Sequence, residues 1–206
     1  MIGFIQQMIN GLSIGSVYAL MAVGYSLVYS IMNFSNFAHG GVIMIGSYIG
    51  FFCISLLNFS FPVAFLTAAL GSGILAIIVE RVAYNPLRKR NAPFLYFIIS
   101  AMGASIFLEN IVVATIGPTF RTYPPVFSAT PIQIGALTIG RLDVLMFVIS
   151  AISLSILVYI IEKTKIGLAI RATSYSSKGS TLMGVNVDKV IFTIFLLGGI
   201  LAGIAG

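Results

Sequence analysis

The sequence predicts an all-α fold, a polytopic transmembrane bundle of about six helical spans in one domain over residues 1–206. Composition is the first reason, because 59% of the residues are hydrophobic and only 8% are charged, against about 25% charged residues in a soluble domain. Pattern is the second reason. Apolar segments of near-spanning length recur, and the strict alternation of membrane barrel strands is absent. The predicted spans are 8–32, 41–57, 62–79, 94–117, 143–161 and 190–206.

The first apolar run, from Met8 to Leu57, is roughly twice as long as the ~20 residues that cross a hydrocarbon core. It is interrupted by a polar break at 33–41, Asn-Phe-Ser-Asn-Phe-Ala-His-Gly-Gly, which holds the one histidine of the chain. The break either turns the chain back at a membrane surface or interrupts a helix inside the membrane. In the second case only protein or a watery cavity can satisfy its backbone. The sequence leaves both alternatives open.

The side chains of this break have more than one interpretation. His39 could hydrogen-bond a solute or respond to pH. It could also satisfy exposed backbone where two helices meet, which is the preferred interpretation. Asn33 and Asn36 can cap the next helix or line a pore. We expect Phe34 and Phe37 to pack.

Small residues recur at four-residue spacing along several predicted helices. Such faces let helix backbones approach closely in lipid, where the hydrophobic effect gives helices no drive to pair. We therefore expect close helix packing at Gly11, Gly15 and Ala19 in the first span, Gly46 and Gly50 in the second, and Gly199 and Gly203 in the last.

Charges between the spans predict the orientation. The net charge is +6. Because the basic residues lie between apolar spans, they indicate topology in a lipid bilayer and no nucleic-acid partner. The excess of Lys and Arg places 80–93 and 162–189 in the cytoplasm and 118–142 outside, and the break then falls on the cytoplasmic side. Alternation over 132–139 predicts a short extramembrane hairpin.

Glu109 is an ionisable residue within a predicted span. It lies ~22 Å along the helix from Phe94, toward the outer third of the bilayer. A charge at that depth is costly and usually faces a cavity or a partner. Glu109 is either a polar contact in a translocation path or a carboxyl near the outer interface, hydrogen-bonded to Asn110 or to a neighbouring helix.

The stretch 162–189 is longer than a connector needs. Ile166 and Ile170 lie one turn apart beside cationic residues, as in a weakly amphipathic surface segment. Asn186 fits an N-cap for the last helix, with Asp188 in its first turn. The stretch is either a docking surface for a cytoplasmic protein or a solvated loop on the lipid headgroups.

Motifs of catalysis are absent from the sequence, which contains no HExxH, CxxC or GxxxxGK[ST] pattern. We therefore expect no catalytic residue, metal or cofactor, and no enzymatic activity in this chain. A channel or a secondary carrier is an alternative, although it would bring more polar residues together within the membrane. The last span has about 17 residues, the minimum for crossing, so we expect the protein to continue beyond Gly206.

Seven stretches of the sequence carry a resemblance to a known family: Asn10–Leu20, Asn36–Gly40, Glu80–Tyr84, Pro86–Arg88, Ile99–Gly103, Ser105–Leu108 and Gly167–Lys189. They resemble the permeases of branched-chain amino acid ABC transporters. The similarity runs in order along essentially the whole chain. It implies an all-helical permease subunit of the cell membrane that pairs with a second permease subunit and binds cytoplasmic ATPase subunits, where ATP is hydrolysed. The solute would come from an extracytoplasmic substrate-binding protein.

The resemblance also implies roles for residues. Gly41 stands where the family often has Glu, so any charge role at that position is absent. Glu109 stands where the family often has Gln or another polar residue, so a special acid role for Glu109 is in doubt. Relatives carry urea or short amides as well, and these solutes remain an alternative to branched-chain amino acids. The residues assigned to the translocation path or a hinge are Asn33, Asn36, His39, Gly40 and Glu109, and those assigned to an ATPase-coupling loop are Gly167, Arg171, Ala172, Leu182, Gly184 and Asn186.

Overall fold

The computed structural model describes residues 2–119, 121–124, 132–134 and 137–206. Among these residues, six helices are long and apolar enough to cross a membrane, if the continuous helix Phe61–Lys89 is counted as one, which confirms the predicted all-α bundle. The predicted hairpin also forms, with Ile132 opposite Ile139 in an antiparallel pair. The elements are α1 (Ile2–Met32), α2 (Ala38–Ser55), α3 (Phe61–Val79), a π-helical turn (Glu80–Tyr84), α4 (Asn85–Lys89), α5 (Phe94–Ile116), β1 (Ile132–Ile134), β2 (Leu137–Ile139), α6 (Arg141–Lys163), α7 (Lys165–Tyr175), α8 (Ser177–Leu182) and α9 (Val187–Ala205).

Helix α9 lies at the centre of the bundle and packs against α1, α2 and α3. Its glycines allow this, because an added Cβ at Gly203 would lie 2.5 Å from the Ala68 carbonyl oxygen of α3. At Gly199 an added Cβ would lie 2.7 Å from the carbonyl oxygen of Ser72. A Cβ on Gly46 of α2 would collide with the Ser72 hydroxyl and lie 3.0 Å from the Cα of Gly203. Three helix backbones therefore meet at this crossing with no space for side chains.

The small-residue face of α1 does not take part in this crossing. A Cβ on Gly11 or Gly15 would have no atom within 4 Å among the described residues, and Ala19 is only partly buried. The expected packing of this face is therefore not made within the described part of the chain. Where α1 meets α9, the two backbones come close at Gly24, whose added Cβ would lie 3.2 Å from the Gly198 carbonyl oxygen.

The bundle has two ends. At one end, which we call the junction end, the Ser174 hydroxyl of α7 donates to the Ser30 carbonyl near the end of α1 at 2.7 Å. At the other, which we call the hairpin end, the Gln6 amide of α1 donates to the Thr138 carbonyl of β2 at 2.6 Å. Helix α2 runs back from the junction end beside α9, since His39 and Gly198 both lie next to Gly24 of α1, while Gly46 lies further along, next to Gly203. The break at 33–37 is thus a full reversal of the chain.

The helix of α3 does not end where the charges begin. It continues through the π-helical turn into α4 and stops at Lys89, inside the stretch 80–93 that the sequence predicts to be a loop. Pro86 has no N–H to donate to the preceding turn, and the wider π-helical turn directly precedes it. Glu80 is buried here at 2% exposure. A charged residue therefore continues the helix instead of marking its end.

Apolar side chains cover the outer faces of the spans. Leu66 of α3, Phe107 of α5 and Ile152 of α6 are 58%, 64% and 54% exposed. Lipid is the solvent that such a surface requires, since soluble proteins rarely expose large contiguous apolar patches.

Candidate functional site

The break between α1 and α2 is a compact turn. Asn33 adopts a positive φ of 54° directly after α1, a conformation that asparagine tolerates better than most residues. Phe34 is 1% exposed and packs against Tyr84 of the π-helical turn, with ring centroids 5.0 Å apart, and against Phe97 of α5 at 5.3 Å. Phe37 is 45% exposed, so the expectation that Phe37 packs is wrong. The turn is anchored by one aromatic side chain.

Asn36 fixes the break to the end of α3. Its side-chain oxygen accepts a hydrogen bond of 2.6 Å from the buried Tyr84 hydroxyl. The alternative that Asn36 caps the next helix is wrong, because the N-cap of α2 is Phe37 and no side chain caps it. The phenol is completely buried, so its proton needs a partner and the Asn36 amide supplies one.

His39 points into the bundle from the first turn of α2 and is 6% exposed. Its ring lies beside the Met21 backbone and makes an edge contact with Tyr25, with centroids 6.1 Å apart. The Nε2 atom has no hydrogen-bond partner among the described residues. Gly24 makes room for the imidazole, since a Cβ there would lie 3.3 Å from His39 Cε1.

The space beside His39 is too small for a solute. A cavity of about 10 Å³ is lined by His39, Asn36, Val28 and residues of α3 and α9, and a single water molecule needs at least that volume. Gly40 is exposed and has no atom within 4 Å of an added Cβ. In this conformation the break supports the hinge alternative better than a pore lining.

A much larger cavity of about 770 Å³ lies near the hairpin end, between α2, α3 and α6. Gly46 and Gly50 line it, as do Tyr123 and Ser150. The Tyr123 hydroxyl donates to the Ser47 carbonyl at 2.6 Å, and burial raises the pKa of this phenol. None of the residues assigned to the path or hinge lines this cavity.

The π-helical turn and α4 form a block, 80–89, that sequence reasoning did not single out as a site. Arg88 donates to Glu80 at 2.9 Å and to Asp188 in the first turn of α9 at 2.8 Å. The Ser100 hydroxyl of α5 donates to the Ala83 carbonyl at 2.8 Å. The signal available in the sequence was a glutamate followed eight positions later by an arginine, around Pro86.

The stretch 162–189 is ordered. The side chains of Thr164, Ser176 and Asn186 cap α7, α8 and α9, accepting from backbone N–H groups at 3.1, 3.1 and 3.0 Å. The expected Asn186 cap is therefore present. Gly167 packs against the carbonyls of Ile160 and Ile161, where an added Cβ would collide with both oxygens.

Some of the residues assigned to the ATPase-coupling loop are buried, and others are exposed. Gly167 is buried, whereas Arg171 and Ala172 on the same helix are exposed. Gly184 has a φ of +82°, which favours glycine, and ends the turn after α8. The apolar side chains of Tyr175, Leu182 and Met183 are 96%, 89% and 87% exposed.

Glu109 lies apart from the break and from the stretch 162–189. It is exposed on α5, and its carboxylate accepts a 3.0 Å hydrogen bond from Ser105 one turn earlier. The expected bond to Asn110 is absent, because that amide donates to the Ile106 carbonyl of its own helix at 2.7 Å. Glu109 faces away from the described bundle.

Comparisons with known proteins bear on the whole chain. A family model described as a branched-chain amino acid transport system / permease component matches residues 7–206. The high-affinity branched-chain amino acid transport system permease protein BraD of Pseudomonas aeruginosa is 37% identical over 214 residues, covering 98% of this chain and 69% of the relative. The permease protein LivH of Escherichia coli is 37% identical over 215 residues, with the same two shares.

A probable LivH permease protein of Methanocaldococcus jannaschii is 28% identical over 203 residues, covering 93% of this chain and 61% of the relative. No solved structure matches. The family match extends over nearly all of the chain, and the bundle has the six candidate spans of a multi-pass membrane protein. The chain belongs to the family of branched-chain amino acid transport permeases.

Proposed function

We propose that this chain is the membrane-spanning permease subunit of an ATP-binding-cassette importer and moves branched-chain amino acids across the cell membrane. Its relatives are permease proteins of such transport systems. The family membership favours this function over a channel, a secondary carrier or a permease for urea or amides. ATP hydrolysis belongs to separate cytoplasmic subunits, and an extracytoplasmic binding protein delivers the solute.

The observation that carries the proposal is the exposed apolar surface at the junction end, formed by Tyr175, Leu182 and Met183. We call it the docking surface. It lies on the short helices α7 and α8, outside the six candidate spans. The caps from Thr164 and Ser176 and the bond from Ser174 to Ser30 hold these helices in place. An ordered surface of this kind fits a protein partner, the ATPase subunit.

The orientation follows from the same surface. If the ATPase binds at the docking surface, the junction end faces the cytoplasm, in agreement with the Lys and Arg excess of 80–93 and 162–189. The hairpin end then faces outside, where a binding protein would arrive. The break becomes a hinge at the cytoplasmic side of the path.

The path itself lies at the outer face of α5. The spans over α5 and α6 are the least buried of the six candidate spans, at 17% and 11%, against 50% for α9. Glu109 lies on this exposed face at membrane depth, and a carboxylate there requires a polar neighbour or a watery cavity. A second permease subunit packed near α5 would enclose Glu109 between the two subunits and provide both.

Cross-linking tests the docking surface. In a Cys53→Ala background, a cysteine introduced by Met183→Cys should capture the ATPase subunit with a short bifunctional reagent. Phe107→Cys is the matched control, because Phe107 is also exposed but lies within a span. Capture at both positions or at neither would contradict the proposal.

Uptake of radiolabelled leucine into vesicles tests the function. Uptake should need ATP and the binding protein together. Uptake driven by a proton or sodium gradient without ATP would show a secondary carrier instead.

A further inference from the structure

Arg88 binds two carboxylates that differ sharply in their surroundings. Its Nη1 lies 2.9 Å from Glu80 Oε1, and its Nη2 lies 2.8 Å from Asp188 Oδ1. The Glu80 side chain is 3% exposed, whereas that of Asp188 is 70% exposed. One guanidinium therefore joins a buried acid of the π-helical turn to an exposed acid in the first turn of α9.

The two ion pairs differ in how readily they break. Separating Arg88 from Glu80 would leave a buried carboxylate with Arg81 at 3.6 Å as its remaining cation, and an uncompensated buried charge is strongly unfavourable. Separating Arg88 from Asp188 returns an exposed carboxylate to water at little cost. The Glu80 pair is fixed and the Asp188 pair is releasable.

The fixed pair belongs to the block 80–89, which is tied to the break. Tyr84 of this block donates to Asn36 at 2.6 Å and packs against Phe34 at 5.0 Å between centroids. A movement of the block would therefore displace the turn between α1 and α2.

The releasable pair, Arg88 and Asp188, lies close to the docking surface along the chain through Asp188. Asp188 follows the Asn186 cap, and only the turn 183–186 separates α8 from α9. A partner that pushes on Leu182 and Met183 therefore moves Asp188 almost directly.

We propose that Arg88 is a positioning residue that transmits the ATPase cycle from the docking surface to the break, with Asp188 as its releasable partner. The ion pair between Arg88 and Asp188 is closed in the conformation described here and opens in the other conformation of the transport cycle. This role rests on the proposed function. It adds a specific residue, Arg88, that couples the movement of the docking surface to the break. Neither the family match nor the docking surface requires such a residue.

The test compares uptake per ATP hydrolysed in the reconstituted transporter with binding protein and ATPase. Asp188→Asn removes the charge from an exposed site, and Asp188→Glu keeps it. Glu162→Gln is the matched control, an exposed acid at the same end that has no ion pair with any described residue. Capture of the ATPase by a cysteine at Met183 is measured in every variant.

We expect Asp188→Asn to lower uptake per ATP by about three- to fivefold, the factor that corresponds to an exposed ion pair. Capture of the ATPase should not change. Asp188→Glu should restore at least half of the coupling, and Glu162→Gln should leave it unchanged. Raised salt should lower the coupling of the unmodified protein toward that of Asp188→Asn, because exposed pairs are screened.

Equal uptake per ATP in Asp188→Asn and the unmodified protein would overturn the role of Arg88 while leaving the proposed function intact. A loss that follows reduced ATPase capture would also overturn it, since the effect would then be on docking. Absence of ATP-driven uptake in the unmodified protein would instead overturn the proposed function, and the role of Arg88 with it.

Discussion

The break at 33–41 and the stretch 162–189 lie at the same end of the bundle and use their residues in opposite ways. In the break, Asn36 and His39 turn inward and Phe34 is buried. In the stretch 162–189, polar side chains cap helices while Leu182 and Met183 are exposed. Polar residues turned inward support a fixed internal turn, and apolar residues exposed outside the spans indicate a surface that another protein covers. Variants of the break should therefore reduce stability, and variants of the docking surface should reduce transport alone.

The largest effect is expected for Phe34→Ala. Phe34 fills a fully buried site against Tyr84 and Phe97, and truncating such a side chain typically lowers the free energy of unfolding by about 3–5 kcal/mol. Phe37→Ala is the matched control, because Phe37 is 45% exposed in the same turn. Thermal unfolding in detergent measures both variants. Similar losses would contradict the described packing of the break.

Tyr84→Phe should have the next largest effect. It leaves the buried Asn36 oxygen without its 2.6 Å donor, at a cost of about 1–3 kcal/mol in the free energy of unfolding. Tyr175→Phe removes a hydroxyl from a side chain that is 96% exposed and should change stability very little. A stable Tyr84→Phe protein would show that the bond does not hold the break.

The variant His39→Ala distinguishes between two roles of His39, one in a structural hinge and the other in the translocation path. Loss of the imidazole beside Gly24 and Tyr25 leaves a cavity, so we expect about 1–3 kcal/mol of destabilisation and a lower yield of assembled transporter. Uptake per assembled molecule should change little. Normal assembly with abolished uptake would instead place His39 in the path.

Leu182→Ser combined with Met183→Ser should leave the unfolding temperature within the error of the control, since both side chains are almost fully exposed. ATPase capture and ATP-driven uptake should fall together, because apolar contact area is lost. Val63→Ser with Leu66→Ser is a control on an exposed membrane face. Equal capture in both double variants would argue against the docking surface.

The elements that depend on local pattern could be predicted from the sequence. The six spans follow from apolar length, the pairing of β1 with β2 from alternation, and the cap of α9 from Asn186 before an apolar run. The block 80–89 could not be predicted, because Glu80 looks like the end of a span until its partner Arg88 is placed. Asp188, the second partner of Arg88, lies 100 residues further along.

The spacing of small residues alone also could not show which helix faces pack against another helix. Gly11 and Gly15 have the same four-residue spacing as Gly199 and Gly203. No described residue lies within 4 Å of a Cβ added to the first pair, whereas the second pair is pressed against α3. The assignment of Glu109 to a path has the same difficulty, since depth in a span does not show which way a side chain points. Tertiary packing decides both questions.

The smallest effect is expected for Glu109→Gln. The amide keeps the size of the side chain and the hydrogen bond from Ser105, which is 3.0 Å long in the unmodified protein. If Glu109 contributes polarity to the path between two permease subunits, uptake should change less than about twofold in Glu109→Gln and fall about tenfold in Glu109→Leu, as for a lost hydrogen bond to a solute or water. Asn110→Leu is the control, because the hydrogen bond that its amide makes among the described residues is to Ile106 of its own helix. If Glu109→Gln is as impaired as Glu109→Leu, the negative charge itself acts on the solute. If neither variant is impaired, Glu109 is a surface carboxyl and the path lies elsewhere.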